Sequence, residues 1–283
     1  MADTAFQTMY RDRYIVGFEQ HESLLRQSVT TEVQVKGNTA VFLVVDSGTA
    51  SAVTRGVNGL LPYRADNLTQ NTCQLVEWHD PVRKNNFNIF SSQGDQIGAM
   101  QMTSLGTMNR RIDADIITEL NTGTNDTGAA VTASLQLALY GKTILGNNKV
   151  PFDGNIFAAI TPAYEAYLLK VPEFTKATYV ESKPLPNAGT AFSDRPGYWK
   201  WLGVNWIVSP GLPGLGTSAE KCFMWHRSAM GHAIDKAGLT TEVGRNEEHD
   251  YSFARTTAYM GAKLLQNAGI VVMNHDGSGF AAQ

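Results

Sequence analysis

A chain of 283 residues with 43% hydrophobic content is long enough to bury one large core or two modest ones. Net charge of −3, a pI near 6.1 and only 17% charged residues give no basic footprint for specific nucleic-acid recognition, and no run of 18 apolar residues offers a membrane span. Low charge with plentiful Gly, Asn and Thr suits large protein contacts instead. The opening Met1-Ala2-Asp3-Thr4 is not a signal peptide, and Cys73 and Cys222, far apart and outside any CxxC, read as reduced structural thiols.

Residues 1–34 are polar and mixed. A short helical turn over 18–26 is the only local signal, and 27–34 show no sustained period. The segment reads as an arm that orders on a partner, or as a frayed terminus. Residues 40–45, Ala-Val-Phe-Leu-Val-Val, predict a strand buried on both faces. Residues 47–93 read as a projecting insertion. Leu75, Glu77 and His79 alternate with Val76 and Trp78, residues 86–90 alternate again, and 80–85 between them (Asp80, Pro81, Val82, Arg83, Lys84, Asn85) have turn chemistry, which predicts an antiparallel hairpin. The preceding stretch, 55–67, begins at Arg55 and carries Leu60, Leu61 and Tyr63 beside Arg64 and Asp66. With few core positions it suits an active-site lid or a loop that clasps another subunit.

Residues 94–122 organise the chain. Ile97, Leu105, Met108, Ile112, Ile116 and Leu120 recur at helical steps, with Arg110, Arg111, Asp113, Asp115 and Glu119 mostly opposite. Some 25 helical residues would span roughly 37 Å, long enough for other elements to pack along them. A link at 123–128 leads to a second helix over 129–145, with Val131, Leu135, Leu139 and Ile144 near one face. Residues 156–160 predict a buried strand, followed by Thr161 as a cap and Pro162 in the first helical position. Tyr164, Tyr167, Leu168 and Val171 line a short helix ending before Pro172. Further strands are expected at 179–180, 198–202 and 204–208, with 222–225 and 229–234 extending the same sheet. Residues 240–244, 254–265 and 269–274 give the last strands around a charged turn at 245–250. The middle one lacks a helical stripe and is expected to lie extended against the long helix.

The chemical motifs are weak. His226 and His232 are six apart, the wrong step for a zinc pair on a helix, and fit a strand and its turn better. Glu247, Glu248, His249 and Asp250 read as a solvated turn rather than a cation site. The loop 211–218 looks like a phosphate loop, but Thr217 stands where the phosphate-reaching lysine is needed and Pro213 removes an amide. No GxSxG, HExxH or GxGxxG stretch is present. No catalytic, metal or cofactor residues are assigned.

The order of elements (arm, strand, projecting loop, long helix, α/β body, returning strands) resembles the tailed-bacteriophage major capsid proteins of the HK97 fold. The parallels lie in the long helix with Arg110-Arg111-Ile112-Asp113, the run from Ile156 to Tyr164, the strand Cys222-Phe223-Met224-Trp225, and the ending 256–274. The resemblance implies an α+β fold. Residues 1–46 would hold the N-terminal arm and first strand, 47–93 an extended loop over a neighbour, and 94–123 the spine of a peripheral domain. Residues 124–235 would form an axial domain, and 236–283 would return to the peripheral domain. It also implies a coat protein that assembles with itself as hexamers and pentamers of an icosahedral shell in the virion, built in the host cytoplasm. The shell would enclose packaged DNA without sequence-specific binding. Because the arm begins almost at Met1, any scaffolding protein is expected to be a separate chain, beside a portal. Arg55, Leu60, Leu61, Tyr63, Arg64, Asp66, Trp78, Arg83 and Lys84 are the expected assembly contacts. The competing readings are a nanocompartment shell of the same fold, and an α/β enzyme with residues 47–93 as its lid and His226, His232 and Glu220 around a pocket. Some relatives join subunits through a loop lysine and an asparagine. Here Lys84 is the only lysine in 47–93, so a shell held without covalent links is expected.

Overall fold

The computed structural model describes residues 20–35, 37–46, 51–59, 61, 63, 67–91, 96–172, 198–235 and 237–280. In chain order these form β1 (Thr30–Val35), β2 (Thr39–Asp46), β3 (Asn67–Gln74), β4 (Val76–Asn85), α1 (Asn86–Ser91), α2 (Gln96–Leu120), α3 (Leu135–Asn147), β5 (Ile156–Ile160) and α4 (Pro162–Leu168). There follow β6 (Tyr198–Trp201), β7 (Val204–Val208), β8 (Glu220–His226), β9 (Met230–Asp235), β10 (Thr240–Asn246), β11 (Tyr251–Leu264) and β12 (Ile270–His275).

The long helix forms as its period requires. Met108, Ile112, Ile116 and Leu120 are buried, while Leu105 is exposed. Beside α2 lies the first sheet, in the order β1-β9-β11-β10 with β4 on the other edge of β11. β11 runs alongside α2 in the same direction: Ser104 Oγ meets Thr256 Oγ1 at 2.9 Å, and fifteen residues on, Glu119 accepts from the Leu264 amide at 3.2 Å. The extended reading of this segment was correct.

The second sheet, β12-β8-β5-β7-β6, is the centre of the core. All of β5 is buried, and Thr161 caps α4 by accepting from the Tyr164 amide at 3.2 Å, with Pro162 in the first turn. Strand alternation separates the faces of β8. Met224 meets Gly141 of α3, whereas Trp225 turns the other way and donates from Nε1 to the Ser28 carbonyl at 3.0 Å.

Several sequence expectations are corrected. The hairpin does not lie at 75–90, because β4 runs straight through the supposed turn and pairs with β11 from Val76↔Met260 to Asn85↔Tyr251. Pro81 is tolerated there because β4 is an edge strand. Residues 86–91 are helical. The true hairpin is the ribbon of β2 and β3, paired from Thr39↔Gln74 to Asp46↔Asn67. β2 is therefore buried on one face only, and the projecting element starts before residue 47. Residues 30–35, which lack an obvious period, form β1 because β9 offers a parallel edge, Thr30↔Gly231. α3 starts at Leu135, capped by Ser134, and buries Leu137, Ala138, Gly141 and Leu145; Val131 and Leu139 face outward. β9 joins the first sheet rather than the second, and β12 returns to the second rather than the first, against β8. The helix α4 stops at Leu168. The expected strand at 179–180 lies outside the described residues.

Candidate assembly interface

The root of the ribbon is held by two glycines of the first sheet. A Cβ on Gly231 would stand 2.9 Å from the Phe42 ring, and one on Gly261 would stand 2.5 Å from the Gln74 carbonyl oxygen. Only glycine lets the ribbon lie this close. Ala40, Phe42 and Cys73 join Val35 and Ala233 in a small core of their own, and burial pushes the Cys73 thiol up to about 11, so it is an unreactive packing group. Asn71 Nδ2 donates to the Leu265 carbonyl at 3.1 Å and fixes the same base.

The outer face of the ribbon has no such cover among the described residues. Val41, Leu43, Val45 and Leu68 are 51%, 60%, 66% and 55% exposed, and Val45 pairs directly with Leu68. Such an apolar strip is the signature of a surface that another protein covers. Beyond it Arg55 is exposed, Leu61 is about half exposed, and Tyr63 is fully so. Leu60, Arg64 and Asp66 lie outside the described residues. Trp78, Arg83 and Lys84 belong to β4, not to this tip. Trp78 is half-buried with the Arg111 guanidinium 3.6 Å above its ring, Arg83 lies 5.5 Å over Tyr251, and half-buried Lys84 pairs in register with Ser252. Among the described ones, Arg55, Leu61 and Tyr63 thus belong to the segment between β2 and β3, and Trp78, Arg83 and Lys84 to β4.

A second organised surface was missed from sequence. One face of α2 reads the main chain of residues 20–25. Arg110 donates to the Gln20 carbonyl at 3.2 Å and Asn109 to the His21 carbonyl at 2.7 Å. Asp113 accepts four hydrogen bonds: from Gln20 Nε2 (2.6 Å), Ser23 Oγ (2.6 Å), and the Leu24 and Leu25 amides (2.9 and 3.0 Å). Gly106 completes the stripe, with His21 Nδ1 3.2 Å from where its Cβ would be. Burial pushes the Asp113 carboxyl up while these donors pull it down. Its sequence signal was its place one residue after Ile112, on the margin of the apolar stripe.

A third surface lies on α3, where Val131, Leu139 and Tyr140 are exposed around a groove of about 610 Å³ whose ten lining residues carry no charge. At the far end of the first sheet, the exposed turn Glu247, Glu248, His249 and Asp250 joins β10 to β11, with Asp250 paired to Arg245 at 2.9 Å.

The groups that the enzyme reading needed do not converge. Glu220 and His226 stand at opposite ends of β8, and His232 is in the other sheet. Glu220 is buried, accepting from Thr161 Oγ1 at 2.5 Å and the Gly216 amide at 2.7 Å. His226 is engaged by Ser228 and by Asp153 at 3.1 Å. Cys222 is pushed up to about 12 by burial. Among the described residues no group of three His, Cys, Asp or Glu side chains could hold a metal ion. No helix among them is long and apolar enough to cross a membrane.

A family model described as phage capsid protein matches residues 2–276. No curated protein matches the sequence. The structure is similar to one from Mycobacterium phage Che8, with TM-score 0.74 and 16% identity over 96% of this chain and 98% of that one. It is also similar to the capsid of cyanophage P-SCSP1u (TM-score 0.71, 12% identity, 96% and 93% covered) and of cyanophage Pam1 (0.71, 10%, 99% and 98%).

Proposed function

The chain belongs to the phage capsid protein family and forms a capsid shell, and from that premise we propose how its parts divide the work. The β2–β3 ribbon is the extended loop, laid over a neighbouring copy with Val41, Leu43, Val45 and Leu68 facing it. Residues 20–35 are the docked part of the N-terminal arm. The helix α2 with β4, β9, β10 and β11 forms the peripheral domain. The second sheet with α3 and α4 forms the axial domain, whose uncharged α3 groove meets another copy around a symmetry axis. Arg55, Leu60, Leu61, Tyr63, Arg64 and Asp66 are contacts of the loop tip. The chain does no catalysis. A scaffolding protein, a portal and DNA enclosed without base-specific contacts are its further partners, and assembly takes place in the host cytoplasm before the shell becomes part of the virion.

The ribbon carries this reading: its root is fixed rigidly while its outer face is apolar and bare. The test replaces residues 55–67 with a short Gly-Ser link. Circular dichroism and melting temperature of the subunit should stay near native, while negative-stain microscopy and light scattering show shells for the wild type and none for the variant. Normal shells from the variant would remove the loop from the assembly contacts. A wild type that remains a small oligomer, with or without its neighbouring genes expressed, would remove the proposed division of work.

A further inference from the structure

His232 has no role in the assembly reading, yet its setting is unusual. It sits in the middle of β9, paired in register with Thr31 of β1 on one side and Ala262 of β11 on the other. Its ring shares the face of Met230 and Ile234, toward the main core, since Gly231 and the intervening Ala233 face the ribbon root. The side chain is 0% exposed, and neither ring nitrogen has a hydrogen-bond partner among the described residues. A buried imidazole with no partner costs free energy even when neutral, and costs far more when charged. Arg26, in the 3-10 turn that precedes β1, is the one charge among the described residues whose field bears on the ring, and it has the same sign as imidazolium. No carboxylate on β1, β11, α2 or the 3-10 turn is among the groups acting on it.

We propose that His232 is an acid-sensitive release for the N-terminal arm: protonating the ring within the field of Arg26, in a buried site with no counter-ion among the described residues, detaches the 3-10 turn and β1 from the edge of β9. The release is confined to one edge because β1 is the edge strand of its sheet and β9 keeps its ladder to β11, and it also parts the Ser28 carbonyl from Trp225 Nε1 and the Val29 carbonyl from Arg227 Nε. Water that enters with the departing segment solvates both cations. Burial, and then Arg26, hold the docked ring down at about 4, against an ordinary value of 6.5. A base depressed in the docked state is neutral and indifferent above about pH 6.5. Below that the released state binds the proton more tightly, and the advantage grows until pH falls to about 4. Across that window release becomes up to roughly 300-fold easier.

The test is hydrogen exchange read by mass spectrometry on the purified full-length chain, as subunits and as shells, between pH 7 and 4.5. Protection is corrected for intrinsic rate and compared between peptides covering residues 25–35 and the internal control 270–275. In the wild type, protection of 25–35 should fall by more than tenfold while the control holds. His232→Gln and His232→Leu should abolish the fall, the first keeping a polar side chain of similar reach and the second a simple apolar one. Arg26→Gln should leave a smaller fall than in the wild type, because the docked ring then titrates closer to 6.5. An equal fall in both His232 variants, or loss of protection in 25–35 and 270–275 together, would overturn the proposal. The readout is release of a segment from its own fold, so it stands or falls independently of shell formation.

Discussion

The second sheet and the β2–β3 ribbon are built from similar residues with opposite results. Ile156, Phe157, Ala158, Ala159 and Ile160 of β5 are all buried, because strands lie on both sides and helices cover one face. Val41, Leu43 and Val45 of β2 come from an equally apolar run, but among the described residues only one strand accompanies them and nothing covers their outer face. Apolar composition therefore sets the appetite for burial, while topology decides whether the subunit satisfies it alone. What the second sheet spends on its own stability, the ribbon holds in reserve for a neighbour.

The contrast can be broken most severely from the core side. Ile112 is 0% exposed on α2. Ile112→Asp places an unpaired carboxylate there, costing about 3–5 kcal/mol or more, comparable to the whole stability of a domain. The expected outcome is insoluble protein, and recovery of normal soluble assemblies would show that this face of the helix does not carry the core.

Asp113→Ala comes next. It strips the acceptor from the buried Leu25 amide and from three other donors at once. A loss of about 3 kcal/mol in denaturant unfolding is expected, since each buried donor left without a partner costs about 1–3 kcal/mol and part is recovered by water. Residues 20–25 should become sensitive to protease while the second sheet stays intact. Unchanged cleavage would mean that the arm is held by its apolar residues alone.

Smaller still is the effect on subunit stability of the double change Leu43→Thr and Val45→Thr, expected within about 0.5 kcal/mol because neither side chain is buried. Its effect on particle yield should nonetheless be large. This pair of measurements sharpens the comparison, since a core strand would give the reverse: a large stability loss and assembly failing only as a consequence. No effect at all is expected from Lys84→Arg on a denaturing gel. Boiled, reduced particles of both proteins should run as one band near 30.9 kDa, because Lys84 lies half-buried in β4, paired in register with Ser252. A ladder present in the wild type and absent in the variant would reverse that expectation.

Sequence made the self-contained half of the molecule readable and the dependent half less so. The stripe of α2, the run of β5 and the Thr161-Pro162 start of α4 each advertise a local period or cap, and each stands where expected. β1 and β4 do not, since their strand character comes from partners about 170–200 residues away, Gly231 and the β11 ladder, and in β4 the partner overrides a proline. The placement of β9 and β12 in opposite sheets has no local signature either. Asp113 shows the same limit at the level of one side chain. A carboxylate on a helix ordinarily faces water, and only the arrival of residues 20–25 makes burial affordable. Of the expected contacts, Arg55, Leu61 and Tyr63 are exposed between β2 and β3, Trp78 stands in a strand as its alternation implies, and Arg83 and Lys84 come from turn chemistry that the β11 ladder converts to strand.

The parallel pairing of β1 with β9 also fixes an order of events during synthesis. β1 emerges early, but its described ladder partner begins at Met230, about 200 residues later. At about 5–20 residues per second, the ribosome needs on the order of 10–40 s to deliver that partner. Throughout this interval β1 has no edge to join, although α2 already offers its polar stripe to residues 20–25. Closing so long a loop is also entropically uphill until β9 is itself anchored on β11. β1 thus waits for β9 as β4 waits for β11, and its docking marks a chain in which the later strands of the first sheet have been made.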